Sequence, residues 1–352
     1  MTELLVGTKK GLFVLEGEDS SFAVRTRQFA GEPVEYAMRD PHSGRYFAAM
    51  ISPFYGPKLL YTDDPTGDWE QASGVALPEG GDKALERIWT LVADDDGTLY
   101  LGGDPGVLFS SRDSGTTWEL NRTLWEHPTR PQWQPGGGGL CLHSIVPTPG
   151  APGRLVCGIS AVGIWLTDDG GETWRHGNKG IKPRYLPDDA PADTITLCIH
   201  NVKRAAKDPN RLFMQFHGGV YRSDDGAESW TYIGDGLPSD FGFPLVVDPA
   251  DPDSAYVIPL KADMDRVTPE GHVRVYETRD AGASWTARGD GLPAEHAYLT
   301  VLRQAFDQAG EGDELELYFG ATSGDVFGSP NAGGSWFSAA TRLPPVYSVR
   351  VA

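Results

Sequence analysis

Six times along this chain an eight-residue segment returns and ends in tryptophan, and a repeat of that kind constrains the fold more than any single motif. The fullest copies are Ser111-Arg-Asp113-Ser-Gly115-Thr-Thr117-Trp118 and Thr167-Asp-Asp169-Gly-Gly171-Glu-Thr173-Trp174, both reading S/T-x-D-x-G-x-S/T-W. Thr278 to Trp285 matches in full, Ser223 to Trp230 has Ala227 in place of glycine, and Ser329 to Trp336 has Asn331 in place of aspartate. Thr62 to Trp69 keeps Thr62, Asp64 and Trp69 but carries Thr66 and Asp68 inside. These residue types suit a turn: aspartate accepts backbone N–H bonds, glycine takes positive φ, and tryptophan fills space between sheets. The boxes are therefore read as structural.

The tryptophans are separated by 49, 56, 56, 55 and 51 residues, about one four-stranded blade per interval. A short β-rich run precedes each box, and Gly11-Leu-Phe-Val14 is a seventh such run without one. The expectation is all-β: residues 1–352 form a single domain, a seven-bladed β-propeller of four-stranded blades. In the fourth unit the strands read Leu140–Val146, Arg154–Gly158, Gly163–Thr167 and Thr173–His176, with the box as the turn between the third and fourth. The chain opens on a second strand, Leu4-Leu-Val6, and ends on a lone first strand, Val346–Arg350, so the two ends should pair and close the ring.

Composition bounds the partners. With 30 Lys+Arg against 49 Asp+Glu the net charge is −19, which repels phosphate backbones and anionic lipid headgroups, so neither nucleic acid nor a membrane is expected. Three cysteines, Cys141, Cys157 and Cys198, are too few for a disulfide framework, and no signal-peptide pattern opens the chain; the expected location is the cytoplasm.

In register over nearly the whole chain, the boxes resemble the Asp-box (BNR) repeats of the sialidase-like propeller superfamily. Val6-Gly-Thr-Lys-Lys-Gly-Leu-Phe13 and Gln215-Phe-His-Gly-Gly-Val-Tyr-Arg-Ser-Asp-Asp225 are further similar to bacterial single-domain propellers labelled glycosyl hydrolase or sialidase-like. Propellers of this kind include sialidases, xyloglucan-degrading enzymes, sorting-receptor ectodomains and photosystem-assembly factors, so the fold leaves the function open. Sialidase-type hydrolysis would need an arginine triad for the substrate carboxylate, a tyrosine nucleophile with a glutamate partner, and an aspartate acid. The family's N-terminal Arg-Ile-Pro signature is absent, and Arg87-Ile-Trp89 stands elsewhere in the repeat, so those roles are not carried over.

The resemblance places a ligand where the loops entering each first strand meet those joining second to third strands, with the boxes at the opposite end. Substrate-binding candidates there are Tyr36, Arg87, Trp89, Tyr298 and Tyr347; a wider set adds Glu35, Tyr55, Asp104, Asp240, Asp263, Asp265, Glu295 and His296. Cys141-Leu-His143 and Cys198-Ile-His200 hold equivalent positions in adjacent blades, and His217 ends a second strand. His143, His200 and His217 are the catalytic candidates as acid–base groups, and the same three are candidate ligands for a divalent metal such as zinc or copper. The longest insertion, Asn121–Gly139, holds Trp125, Trp133 and four glycines and reads either as a lid or as a packed flap. The next, Gly177–Thr196, carries Lys179, Lys182, Arg184 and Tyr185, which could receive an anion. The expected function is a hydrolase or lyase acting on a saccharide or similar small polar ligand at the funnel mouth. The alternatives are a non-catalytic scaffold for a protein or small ligand, and a metal-dependent enzyme using the three histidines.

Overall fold

The computed structural model describes residues 1–52, 54–80, 83–182, 196–262 and 264–352. They form seven four-stranded antiparallel sheets, six built from consecutive strands and one that joins the two chain ends. In that last sheet, blade 1, Val346–Val351 pairs with Thr2–Thr8, which pairs with Gly11–Glu18 and then Ser21–Gln28. The innermost strands of blades 2 to 7 are Val34–Arg39, Arg87–Ala93, Leu142–Pro147, Ile199–Arg204, Phe241–Val247 and Phe306–Ala309, and with Val346–Val351 they pack side by side in a closed ring. Core side chains such as Trp165, Tyr256, Phe213 and Phe319 are fully buried between blades.

The boxes of blades 3 to 6 are turns with the same bonds, and the Thr62–Trp69 box of blade 2 departs from them, with Asp64 accepting from Thr66 N and Oγ1 instead. In blade 4 Thr167 Oγ1 donates to Asp169 Oδ1 at 2.7 Å and accepts from Gly171 N at 2.9 Å, while Asp169 accepts from Thr173 N and Oγ1 at 2.9 and 2.6 Å. The chain can make that loop only by passing through positive φ at two successive residues, +72° at Gly170 and +90° at Gly171. Ala227 adopts the same conformation at +76° and keeps the bonds, which is why its departure from the consensus leaves the turn intact. The box tryptophan lies in the turn, so the fourth strand of blade 4 is the two-residue Arg175–His176, shorter than the sequence pattern predicts. Blade 1 has no box: a tight turn with Asp19 at φ +54° joins two eight-residue strands instead.

Adjacent blades are latched where one blade's exit meets the next box. Trp118 N donates to Ser73 O, Trp230 N to Lys179 O and Trp336 N to Asp290 O, at 2.8 to 2.9 Å. The glycine that follows each acceptor must be a glycine: a Cβ on Gly291 would sit 2.1 Å from the Trp336 carbonyl oxygen, with φ at +87°.

The boxes also set the acid response. The Asp169 carboxyl is pulled down to about 2 by the Thr173 hydroxyl and N–H, and Asp280 is lowered by the same pair of bonds from Ser284. In Asp113 and Asp225 burial opposes the shift and the hydrogen bonds outweigh it. A depressed folded-state pKa adds stability that is present above the unfolded value near 4 and is lost as pH falls toward 2. Asn331 makes the equivalent turn in blade 7 without a titrating group. Urea unfolding midpoints should therefore fall between pH 5 and pH 2.5 in the wild type and fall less in an Asp169→Asn/Asp280→Asn variant; parallel profiles would exclude the boxes as the source.

Candidate functional site

One irregularity recurs where the inner strands begin. Register slips by one residue between Val34 and Tyr36, between Ile88 and Thr90, between Leu142 and Ser144, and between Ile199 and Asn201. The same slip skips Tyr347 in blade 1, and a wider one spans Phe243 in blade 6. The residues set aside by these bulges are Glu35, Trp89, His143, His200, Phe243 and Tyr347, one in each of blades 1 to 6. A bulge releases a residue from the strict alternation of strand faces and re-aims its side chain.

Four of the six, Glu35, Trp89, Phe243 and Tyr347, line a cavity of about 270 Å³ at the mouth, with Arg87, Arg266 and Arg303 among them. Arg87 Nη1 stands 3.7 Å from Glu35 Oε2. The Arg87 and Arg303 guanidiniums lie 5.5 and 5.1 Å from the Trp89 ring, and those of Arg266 and Arg303 both lie 5.6 Å from Phe243. The Trp89 indole N–H is buried and has no acceptor among the described residues. Burial pushes the Glu35 carboxyl up against the pull of Arg87. Burial also raises the Tyr347 phenol, and the Glu35 charge raises it further, so the two groups are electrostatically coupled.

The remaining two bulged residues do not reach this cavity. His143 and His200 are 1% and 3% exposed. His143 Nε2 meets Ile199 O and Nδ1 meets Ser144 Oγ, both at 2.9 Å, while His200 Nδ1 meets Gly242 O at 2.6 Å. The segment entering blade 7 covers both: Arg303 Nε donates to His200 O at 2.5 Å, and Gln304 Nε2 donates to His143 O at 2.9 Å. Burial and then the Arg303 charge hold both imidazoles far below the usual histidine range, so they stay neutral. His217 packs edge-on against His200 at 5.4 Å between ring centres.

For a metal, the structure groups Cys198, His200 and His217, whose ligand atoms lie within 4.8 Å of one another, and leaves His143 outside. The Gly242 carbonyl fixes His200 with its proton on Nδ1, which leaves Nε2 as the ligand atom. The Arg303 and Arg266 charges that oppose protonation of His200 would oppose a bound cation too.

Of the predicted substrate-binding residues, Arg87, Trp89 and Tyr347 share the mouth cavity, and Tyr36 and Tyr298 lie outside it. Tyr36 follows the bulge, so it points inward between blades, 5% exposed, donating to Leu91 O at 3.1 Å beneath the Arg350 guanidinium. Tyr298 is 59% exposed on the loop before blade 7. Arg266 and Arg303 were not legible as site residues because they sit on long loops with no motif, in the connections before and after the blade 6 outer strands. Asp263, Arg184 and Tyr185 lie outside the described residues.

The 121–139 insertion is a packed flap over its first part. Trp133 is buried against Trp165 at 5.1 Å, and Arg130 lies between Trp125 and Trp133 at 4.4 and 4.6 Å while donating to Gly106 O at 2.7 Å. Its closing glycines shape the mouth: Gly138 lines the cavity, and Gly139 leaves no room for a Cβ beside Asp104. Asp104 and Glu86 line an adjoining cavity of about 590 Å³, and burial followed by the Glu86 charge raises the Asp104 carboxyl.

No protein-family model matches the chain. The photosystem II assembly lipoprotein Ycf48 of Synechococcus sp. (strain CC9605) is 35% identical over 65 residues, which is 18% of this chain and 18% of that protein. Among solved structures, an ancestral GH74 enzyme superposes with a TM-score of 0.56 at 12% identity, covering all of this chain and 40% of that one. YCF48 bound to D1 peptide gives 0.52 at 14% identity, covering 90% and 84% of the two chains. YCF48 from Cyanidioschyzon merolae gives 0.54 at 15%, covering 88% and 85%. At these identities the likeness is one of fold, a β-propeller shared with a GH74 enzyme and with YCF48 bound to D1 peptide. No helix among the described residues is long and apolar enough to cross a membrane.

Proposed function

We propose that the mouth cavity binds a small acidic saccharide and hydrolyses it. The observation that supports this reading is the convergence of three arginines and a coupled tyrosine–glutamate pair on one cavity of about 270 Å³. Arg87, Arg266 and Arg303 supply the donors a carboxylate needs, in a protein whose net charge is −19. A phenol held above its ordinary pKa does not attack as a free anion, so its proton has to leave as the new bond forms. Glu35 is the acceptor for that proton, and its raised pKa suits the task. In this scheme the Tyr347 oxygen attacks the anomeric carbon and Asp104 protonates the departing oxygen; water then releases the sugar from Tyr347. The sialidase-like character of the repeat belongs to the same proposal.

Fluorogenic glycosides of sialic and uronic acids test it. Turnover is expected for one of these acids and not for the neutral sugars, and Tyr347→Phe should lower kcat by about 10²–10⁴-fold with binding retained. Absence of binding or turnover with every acidic sugar would overturn the assignment. A second reading, partner docking, draws on the exposed Phe54, Tyr55, Met264 and Tyr298, 85, 79, 90 and 59% accessible and all on mouth-side loops. It predicts that a peptide bound at the mouth is lost in Phe54→Ser/Tyr55→Ser while saccharide binding is unaffected.

A further inference from the structure

Side chains span the channel between its two cavities. Asn201 Nδ2 donates to Phe243 O and Arg303 O, Gln304 Nε2 donates to His143 O, and Arg350 Nη2 donates to Gln304 Oε1, so a belt of side chains crosses from blade to blade. Behind this belt, toward the boxes, lies a second cavity of about 300 Å³ to which all seven inner strands or their flanks contribute. Its described lining includes three cationic residues, Lys203, Arg204 and Arg350, and no carboxylate.

The three cations differ in what they have left to offer. Arg204 is committed to the carbonyls of Pro147 and Pro209. Arg350 is 7% exposed; its terminal nitrogens meet Phe306 O, Gln304 and Asp307, and its buried Nε has no acceptor among the described residues. Lys203 is half-buried with Arg350 and Asp307 as its neighbouring charges, and Asp307 is already occupied by Arg350 at 3.2 Å and by the Val351 N–H at 3.0 Å. Two cations that share one carboxylate leave a net positive charge facing the cavity, which an anion from solution can neutralise.

We propose that the back of the channel is a second binding site, for a small phosphate-like dianion, which the Lys203 ammonium meets directly with Arg350 as its buried support. Burial, and then the Arg350 charge, bring the Lys203 ammonium down to about 8 against the pull of Asp307, which leaves it mostly protonated at neutral pH. The volume admits a free phosphate with water or a short phosphorylated metabolite. The belt separates this site from the mouth, so ligands can occupy the two ends together, and the proposal stands whether or not the mouth is an enzyme.

Titration calorimetry of inorganic phosphate into the full chain tests it. Saturable binding is expected in the wild type, weakened about tenfold or more in Lys203→Met and held within about threefold in Lys203→Arg, which keeps the charge. The mouth variant Arg87→Met/Arg266→Met should retain it. Should Lys203→Met fail to fold, phosphate should still shield wild-type Lys203 from acetylation, read by peptide mass. Unchanged affinity in Lys203→Met, loss of binding only in the mouth variant, no saturable binding in the millimolar range, or an unshielded Lys203 would each overturn the proposal.

Discussion

A chain lacking Leu343–Ala352 should not hold a folded propeller at room temperature. The deletion removes the strand Val346–Val351, whose hydrogen bonds to Thr2–Thr8 are the ladder that joins the last part of the chain to the first. Val346 and Val349 are fully buried, and their loss removes about 1.5–3 kcal/mol each before the ladder is counted. Arg350 goes as well, leaving Gln304 and Asp307 without their buried partner. Against a total stability of roughly 5–15 kcal/mol, these terms together exceed what a ring with an open seam can retain. The exposed Thr2–Thr8 edge is also a template for aggregation. Circular dichroism and thermal melting decide the matter: a cooperative transition within a few degrees of the full chain would mean that closure contributes little. Removing Ala352 alone is the milder comparison: it gives up one backbone hydrogen bond to Glu3 O and should leave a cooperative transition.

Replacing Arg87 and Arg266 together with methionine should lower affinity for the acidic saccharide by about 10²–10⁴-fold. Each charged hydrogen bond contributes about 1.5–3 kcal/mol, and methionine keeps most of the side-chain volume. Binding of the matching neutral sugar amide should move much less, and that contrast separates loss of carboxylate recognition from general damage. A second readout follows from Arg87 beside Glu35. Without that cation, burial of the Glu35 carboxyl is unopposed, so its pKa rises further and the acidic limb of any pH–rate profile should shift to higher pH. Equal losses for the acid and its amide would remove the carboxylate from the argument.

The boxes, their spacing and the unpaired first strand at Val346 were enough to read seven blades and the seam, because each rests on local chemistry. A turn needs an acceptor, a hydroxyl and a residue at positive φ within a few positions, and these recur visibly in the sequence. Strand ends were less legible: Leu142–Pro147 begins two residues later than the apolar pattern predicts, since Leu140 and Cys141 belong to the approach and not to the ladder. Arg87, Trp89 and Tyr347 could be chosen because the repeat shows where inner strands start and the family resemblance places a ligand at that end.

Tertiary structure decided the rest. Alternation of side chains along a strand predicts one face for His143, His200 and Trp89 alike, yet a bulge at each strand start and one segment with no motif, Leu302-Arg303-Gln304, sort them differently. That segment lies across the channel, hides the two histidines, supplies the third arginine and divides the channel into two chambers. Its contacts join residues about 100 to 160 positions apart, so no local pattern could encode them. The sequence by itself determined the number of blades, the turns and the seam, because turn chemistry and strand periodicity act over a few residues. Which side chains meet at the mouth, and which cations are left facing the back chamber, was decided only when the ring closed and brought distant strands within hydrogen-bonding reach.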